Sequence, residues 1–187
     1  RSPQGGPAPV LTLELIANFR SEMTGLGYPS FHIHTPYYIN FASLSPRIKH
    51  GSATVVREEL ERGSRLGARF VMTHLGSRGE QAAEQGVEAV VNGVMEILKK
   101  YTGSTELLLE ISAGAGNIIG GSFAEVGEIV FRVKSLQGFG GVCFDTYHAF
   151  ASGYDFRTPA GLKTVMKEFD EQIGLEWLKL AHVNDSK

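Results

Sequence analysis

The 187-residue sequence has one cysteine, Cys143. No intrachain disulfide can form, and the usage suits a reducing compartment; a cytoplasmic bacterial or archaeal setting is expected. No stretch approaches the roughly 20 consecutive apolar residues of a membrane-spanning helix. Residues 1–9 are rich in glycine and proline rather than charged and then apolar, so no secretory signal is expected. An excess of basic charge is missing too: 18 Lys and Arg stand against 20 Asp and Glu, for a formal charge of −2. Nucleic acid, if bound, must meet a local surface or bound cations rather than a basic face. No linker, low-complexity tract or charge block divides the chain, which reads as a single domain over 1–187. What is present is ordinary globular chemistry, 42% apolar and 20% charged.

Within that composition five short apolar runs each carry a residue able to bind a metal. Ser30–Tyr37 carries His34, Ala68–Gly76 carries His74, Glu106–Ala113 carries Glu110, Gly141–His148 carries Asp145 and His148, and Leu175–Val183 carries His182. Successive steps from His34 to His182 are 40, 36, 35 and 37 residues. One strand plus one crossover helix has that length, so the period reads as a βα repeat. The intervening segments fit. Val10–Leu26, Val55–Leu66, Gln81–Tyr101, Phe123–Leu136 and Pro159–Ile173 all show helical periodicity, and Gly67 and Gly103 are placed to stop two of them.

Parallel strands bring their carboxyl ends to one face, where these side chains would converge. An open doubly wound sheet concentrates function at one switch point, whereas a barrel delivers it from every strand end. The expected fold is therefore α/β, a TIM (β/α)8 barrel of about five βα units. Both ends look cut, with about two units absent in front and one behind.

Taken singly, each residue has an ordinary explanation. A strand histidine is usually a hydrogen-bonded core or surface residue. Glu110 behind three leucines and Asp145 behind Val142, Cys143 and Phe144 are harder to place, because a buried carboxylate needs a compensating cation. Together, imidazoles and carboxylates match the donors of zinc or manganese in a two-ion cluster, with Glu110 or Asp145 as bridge. The glycine-rich run 114–121 lacks the acidic partner of a dinucleotide site and is better suited to passing close to phosphate. His50 lies on a helix without companions and reads as solvated. Tyr37 and Tyr38 fit either barrel-rim aromatics or side chains that stack on bases.

Three segments resemble the signatures of the endonuclease IV family of apurinic/apyrimidinic endonucleases. They are Leu109-Glu110 with Ala113–Gly116, the run Val142–Asp155 and the run His182–Lys187. Residues 34–40 are similar to an earlier His-x-x-Tyr-x-Ile-Asn motif of that family. The resemblance implies a TIM barrel with up to three zinc ions. His34 and His74 would hold the first, Glu110 would bridge it to a second completed largely by Asp145 and His182, and His148 would serve the third. It further implies DNA repair by hydrolysis of the phosphodiester 5′ to an abasic site, leaving a 3′-hydroxyl, with Glu110 central to catalysis. Tyr37 and Tyr38 would lie in the DNA-penetrating loop, with another penetrating side chain near Gln4. A monomer acting on double-stranded DNA is expected, and no membrane partner.

The sequence also departs from the family. Ile111-Ser112 stands where Asn-Thr is usual, and Tyr147 where cysteine is common. The family's last Asp-x-His pair and final glutamate have no counterpart within 187 residues. The rivals are a sugar isomerase or epimerase of the same barrel type, and a metal-free remnant without catalysis. Such isomerases favour carboxylates and a lysine over this histidine-rich set.

Overall fold

The computed structural model describes residues 6–28 and 30–185. Gln4, Ser186 and Lys187 lie outside them. The elements run α1 (Leu13–Gly25), β1 (His32–His34), α2 (Pro46–Leu66), β2 (Phe70–Thr73), α3 (Ala83–Leu98) and β3 (Glu106–Glu110). They continue with α4 (Phe123–Val133), β4 (Phe139–Asp145), α5 (Thr146–Ala151), α6 (Pro159–Gln172), a 3₁₀ turn (Leu175–Trp177) and β5 (Leu178–His182). The strands pair in parallel in sequence order, β1-β2-β3-β4-β5. Every crossover thus moves to the adjacent strand in one direction, which winds a barrel wall rather than a doubly wound sheet. The five strands form a half-barrel.

Residue type explains the layering. α3 repeats Val87, Val90, Val91, Val94, Ile97 and Leu98, all buried, as a stripe facing the sheet. With α2 and α4 it covers the outer surface of the strands in one large core. A smaller cluster of Phe70, Met72, Leu108 and Cys143, with Leu180 against it, fills the concave side. Strands β2 and β4 are buried throughout, whereas β1 and β5 are partly exposed. α1 buries no residue. Where α4 meets α6 the backbones nearly touch: a Cβ on Gly127 would stand 2.0 Å from the Gln172 carbonyl oxygen, so only glycine fits.

The sequence periodicity places the five strands and α1, α2, α3, α4 and α6, errs at their ends and misses α5. α2 starts nine residues before Val55, at Pro46 after Ser45; a proline in the first turn is a start signal in its own right. Its extra turns carry His50, whose Nδ1 lies 3.2 Å from Glu96 on α3, so His50 does have a companion. Leu175–Trp177 is a 3₁₀ turn rather than the start of β5. His148 is on α5, a helix that strand periodicity does not reveal. No helix among the described residues is long and apolar enough to cross a membrane.

Candidate metal centre

The registers Thr73↔Leu109 and Asp145↔His182 set the candidate ligands of those strands level, while His34↔Met72 and Glu110↔Cys143 stagger the others by two residues. β1 ends on His34, β2 one residue before His74, β3 on Glu110, β4 on Asp145 and β5 on His182. Six side chains that five strands bear, or release just beyond their ends, therefore meet. Glu110 is at the centre, 1% exposed. Its Oε2 lies 3.0 Å from His34 Nε2 and 3.6 Å from His74 Nε2. Its Oε1 lies 3.2 Å from His182 Nδ1 and 3.5 Å from His148 Nδ1.

Asp145, also buried, closes the other side, 3.5 Å from His182 and 3.8 Å from His148. It caps α5 by accepting from the His148 backbone N–H at 2.9 Å, which is how α5 delivers His148 into the cluster. The Asn184 amide donates to its other oxygen at 2.6 Å. Two histidines are turned by backbone carbonyls: His34 Nδ1 lies 2.5 Å from Thr35 O, and His148 Nδ1 lies 2.9 Å from Ile111 O. Such outer contacts fix ring orientation and leave the opposite nitrogen as the lone-pair side.

The electrostatics of the cluster are set by Glu110. Burial by itself would raise its pKa, but the His34 and His74 imidazoles outweigh that and hold it far below the usual carboxylate range. His34 is raised in turn, first by Glu110 and against its own desolvation. Burial pushes the Cys143 thiol well up, and the Glu110 and Asp145 charges add to that, so Cys143 stays a thiol in the wall below. His32, on the same face of β1 as His34, is not in the cluster. It stacks on Phe70 at 5.3 Å, and burial lowers its pKa.

These donors fit a metal. His34, Glu110 and His182 form one group whose ligand atoms lie within 4.8 Å of one another, and His74, Glu110 and His148 form a second. Glu110 belongs to both. Imidazoles with a bridging carboxylate suit zinc and manganese. Moreover, His74 Nε2 and Glu110 Oε2 are buried without a hydrogen-bond partner. Close approach without hydrogen-bond geometry, in a group that is costly to bury unmatched, is the arrangement a bridging cation would satisfy. By carboxylate oxygen the histidines divide differently: His34 and His74, with rings 5.0 Å apart, share Oε2, while His182 and His148 share Oε1.

An open cleft of about 370 Å³ borders the second group, lined by Tyr37, Tyr38, Asn40, His74, Ser112, Ile118 and His148 among others. Tyr37 is 73% exposed and Tyr38 41% exposed, while Tyr37 keeps ring contact with both His34 and His74. Gly76 has φ +94°, and a Cβ there would fall 2.5 Å from the Asn40 Cα, so the β2 loop can fold against the tyrosine loop only with glycine. The glycine-rich segment closes the far side through a bridge between Ser77 and Ile118. Sequence reasoning missed Asn184 and Ser112 as parts of this site. Asn184 lay within a quoted motif, but its contact with Asp145 depends on how β5 ends.

The family described as a xylose isomerase-like TIM barrel matches residues 2–187. The chain is 38% identical over 189 residues to a probable endonuclease 4 of Nitrosopumilus maritimus (strain SCM1), and 35% identical over 189 residues to that of Cenarchaeum symbiosum (strain A). Each alignment takes in 100% of this chain and 67% of the relative. The crystal structure of endonuclease IV from Thermus thermophilus superposes with a TM-score of 0.82 at 26% identity, covering 99% of this chain and 64% of that one. A D-tagatose 3-epimerase-like protein superposes at 0.69 with 18% identity, 93% of this chain and 62% of its own, and shares the fold alone. The chain thus spans about two thirds of the length of these relatives.

Proposed function

The chain belongs to the endonuclease IV family, within the xylose isomerase-like TIM barrels, and from that premise we propose a metal-dependent DNA-repair endonuclease. The reaction is hydrolysis of the phosphodiester 5′ to an abasic site in duplex DNA, leaving a 3′-hydroxyl. One observation carries this reading: two His-Glu-His groups share a buried carboxylate whose oxygen has no hydrogen-bond partner, beside a cleft rimmed by exposed tyrosines.

Zinc is the proposed ion, with manganese as the alternative. Glu110 would be held in common, His34 and His74 would serve one position on its Oε2 side, Asp145 and His182 the other on its Oε1 side, and His148 a third. When bound, such ions supply Lewis acidity at a phosphoryl oxygen and lower the pKa of water. The chain's own part is orientation. The Thr35 and Ile111 carbonyls fix two imidazoles, and Asn184 with the His148 N–H fixes Asp145. The cations also offset the carboxylates, so that a chain of charge −2 can accept a polyanion. Tyr37 and Tyr38, exposed at the cleft rim, would fill the gap left when a baseless sugar leaves the stack, a displacement that costs less than flipping an intact nucleotide.

The test uses protein expressed from its full reading frame, loaded with zinc or manganese, on a duplex containing one abasic site, an intact duplex and a ketose. The reading expects incision of the abasic strand alone, with a 3′-hydroxyl end, abolished by a chelator. Ketose turnover by metal-loaded protein that leaves the abasic strand whole would overturn it in favour of a sugar isomerase.

A further inference from the structure

Besides the two metal-facing atoms and the His32 Nδ1 atom, one more buried polar side-chain atom among the described residues lacks a partner: the hydroxyl of Ser112. Ser112 is 4% exposed and lines the cleft together with His74 and His148. Two polar neighbours in that wall, Asn40 and Ser77, are already matched. Asn40 Oδ1 accepts from the backbone N–H groups of Ala42 and Ser77, at 3.0 and 3.2 Å, and Ser77 Oγ donates to the Asn117 carbonyl at 3.0 Å.

The main chain of Ser112 is held from both sides. Its N–H donates to the Gly120 carbonyl at 2.9 Å, and its carbonyl accepts from Ser152 Oγ at 3.1 Å. Ser152 Oγ in turn takes the Gly114 N–H at 2.6 Å. With the main chain held, only rotation about Cα–Cβ is left to turn the hydroxyl toward the cleft that Ser112 lines. Burying a hydroxyl with nothing to bind loses free energy that alanine would not lose, so an unmatched one beside a reactive centre is the mark of a ligand contact.

We infer that Ser112 Oγ is a positioning donor for a phosphoryl oxygen of the molecule seated in this cleft. The inference rests on the proposed function in that it takes the cleft's occupant to be a sugar-phosphate. A serine hydroxyl is a poor ligand for zinc beside imidazoles and carboxylates, but it is a good donor to an anionic oxygen. Its place beside His74 and His148 sets it at the border between the metal donors and the apolar wall that Ile118 and the tyrosines make. It would fix the orientation of the phosphate there without touching the metals.

Ser112→Ala tests this on metal-loaded protein with three probes: inorganic phosphate, deoxyribose 5-phosphate, and a duplex containing a non-cleavable tetrahydrofuran abasic mimic. Metal content and melting temperature are read alongside. The expected result is an unchanged metal content and a melting temperature equal to or above that of the parent. Binding of deoxyribose 5-phosphate and of the duplex weakens about tenfold to a hundredfold, the scale of one hydrogen bond to a charged group. A variant that binds both as the parent does, or that melts lower or fails to fold, overturns the inference, because the hydroxyl is then structural. Serine-dependent binding of deoxyribose 5-phosphate by a parent that ignores the duplex would keep the inference and reject the DNA reading. Duplex binding indifferent to Ser112 would do the reverse, and a parent that binds none of the three probes rejects both.

Discussion

Two buried polar clusters sit at opposite ends of the same strands, and they are built to opposite rules. At the amino ends, Tyr101, Ser64 and Thr105 satisfy one another. The Tyr101 hydroxyl donates to the Thr105 carbonyl at 2.8 Å and lies 2.7 Å from Ser64 Oγ, which accepts the Thr105 N–H at 3.1 Å. Thr105 Oγ1 donates to the Ala68 carbonyl at 2.7 Å. At the carboxyl ends, His74 Nε2, Glu110 Oε2 and Ser112 Oγ have no hydrogen-bond partner. A matched network fixes one packing and stabilises the fold; an unmatched one is costly until something outside the chain completes it. Barrels divide labour in this way, stability at the amino face and chemistry at the carboxyl face.

The comparison breaks most easily at Glu110. Glu110→Gln keeps the shape but removes the charge that both ligand groups share. In the full-length protein, incision of an abasic duplex should fall by more than about a hundredfold, beyond the 10–100-fold typical of outer-shell losses. Near-normal incision by that variant would mean that the cluster is not the reaction centre. At the other end, Tyr101→Phe should lower unfolding free energy by about 1–3 kcal/mol, because Ser64 and the Thr105 carbonyl lose a partner in the core. Its incision rate and metal content should match the parent's, and a loss of metal there would show that the two ends are not separable.

Tyr37→Ala sharpens the picture at the rim. Abasic-duplex binding should weaken by roughly 1–3 kcal/mol, the scale of one stacking contact, while metal content stays the same. Equal affinity would leave Tyr37 a plain rim residue.

The smallest effect is in pH. In metal-free protein Glu110 is depressed below its ordinary 4.5, so its contribution is present above that value and lost as pH falls through the folded one. His34 is raised above its ordinary 6.5, so its contribution is complete below 6.5 and lost as pH rises through the folded value. Both are in place only between about 4.5 and 6.5. Melting temperature of chelator-treated protein should therefore show a shallow maximum there, reduced in His34→Ala. The effect is shallow because His34 is partly exposed and its pairing is screened. An identical profile in that variant would remove His34 from the account.

Much of this was legible in the sequence, and the parts that were not share a cause. A period of about 37 residues reveals parallel strands, because a crossover helix has a fixed reach, and it locates His34, His74, Glu110, Asp145 and His182 at strand ends. The resemblance then supplied the family, and the barrel expectation holds. What stayed hidden depends on contacts between distant segments. His148 reads as lying just past a strand end, and the helix that carries it emerges only when Asp145 is seen to cap α5. His50 is solvated as its sequence suggests, but its companion Glu96, 46 residues away on α3, stays hidden. Ser112 looks like a substitution in a motif, and its unmatched hydroxyl emerges only once Gly120 and Ser152 have fixed its backbone.

The central claim is that His74 Nε2 and Glu110 Oε2, unmatched at the carboxyl ends, are ligand atoms waiting for cations. Zinc binding to chelator-treated protein, followed by titration calorimetry and by melting temperature, tests it directly. The account predicts at least two zinc ions bound per chain, one for each group that shares Glu110, and a rise in melting temperature that grows with zinc concentration. Protein that takes up no zinc and melts at the same temperature with and without it would contradict the account.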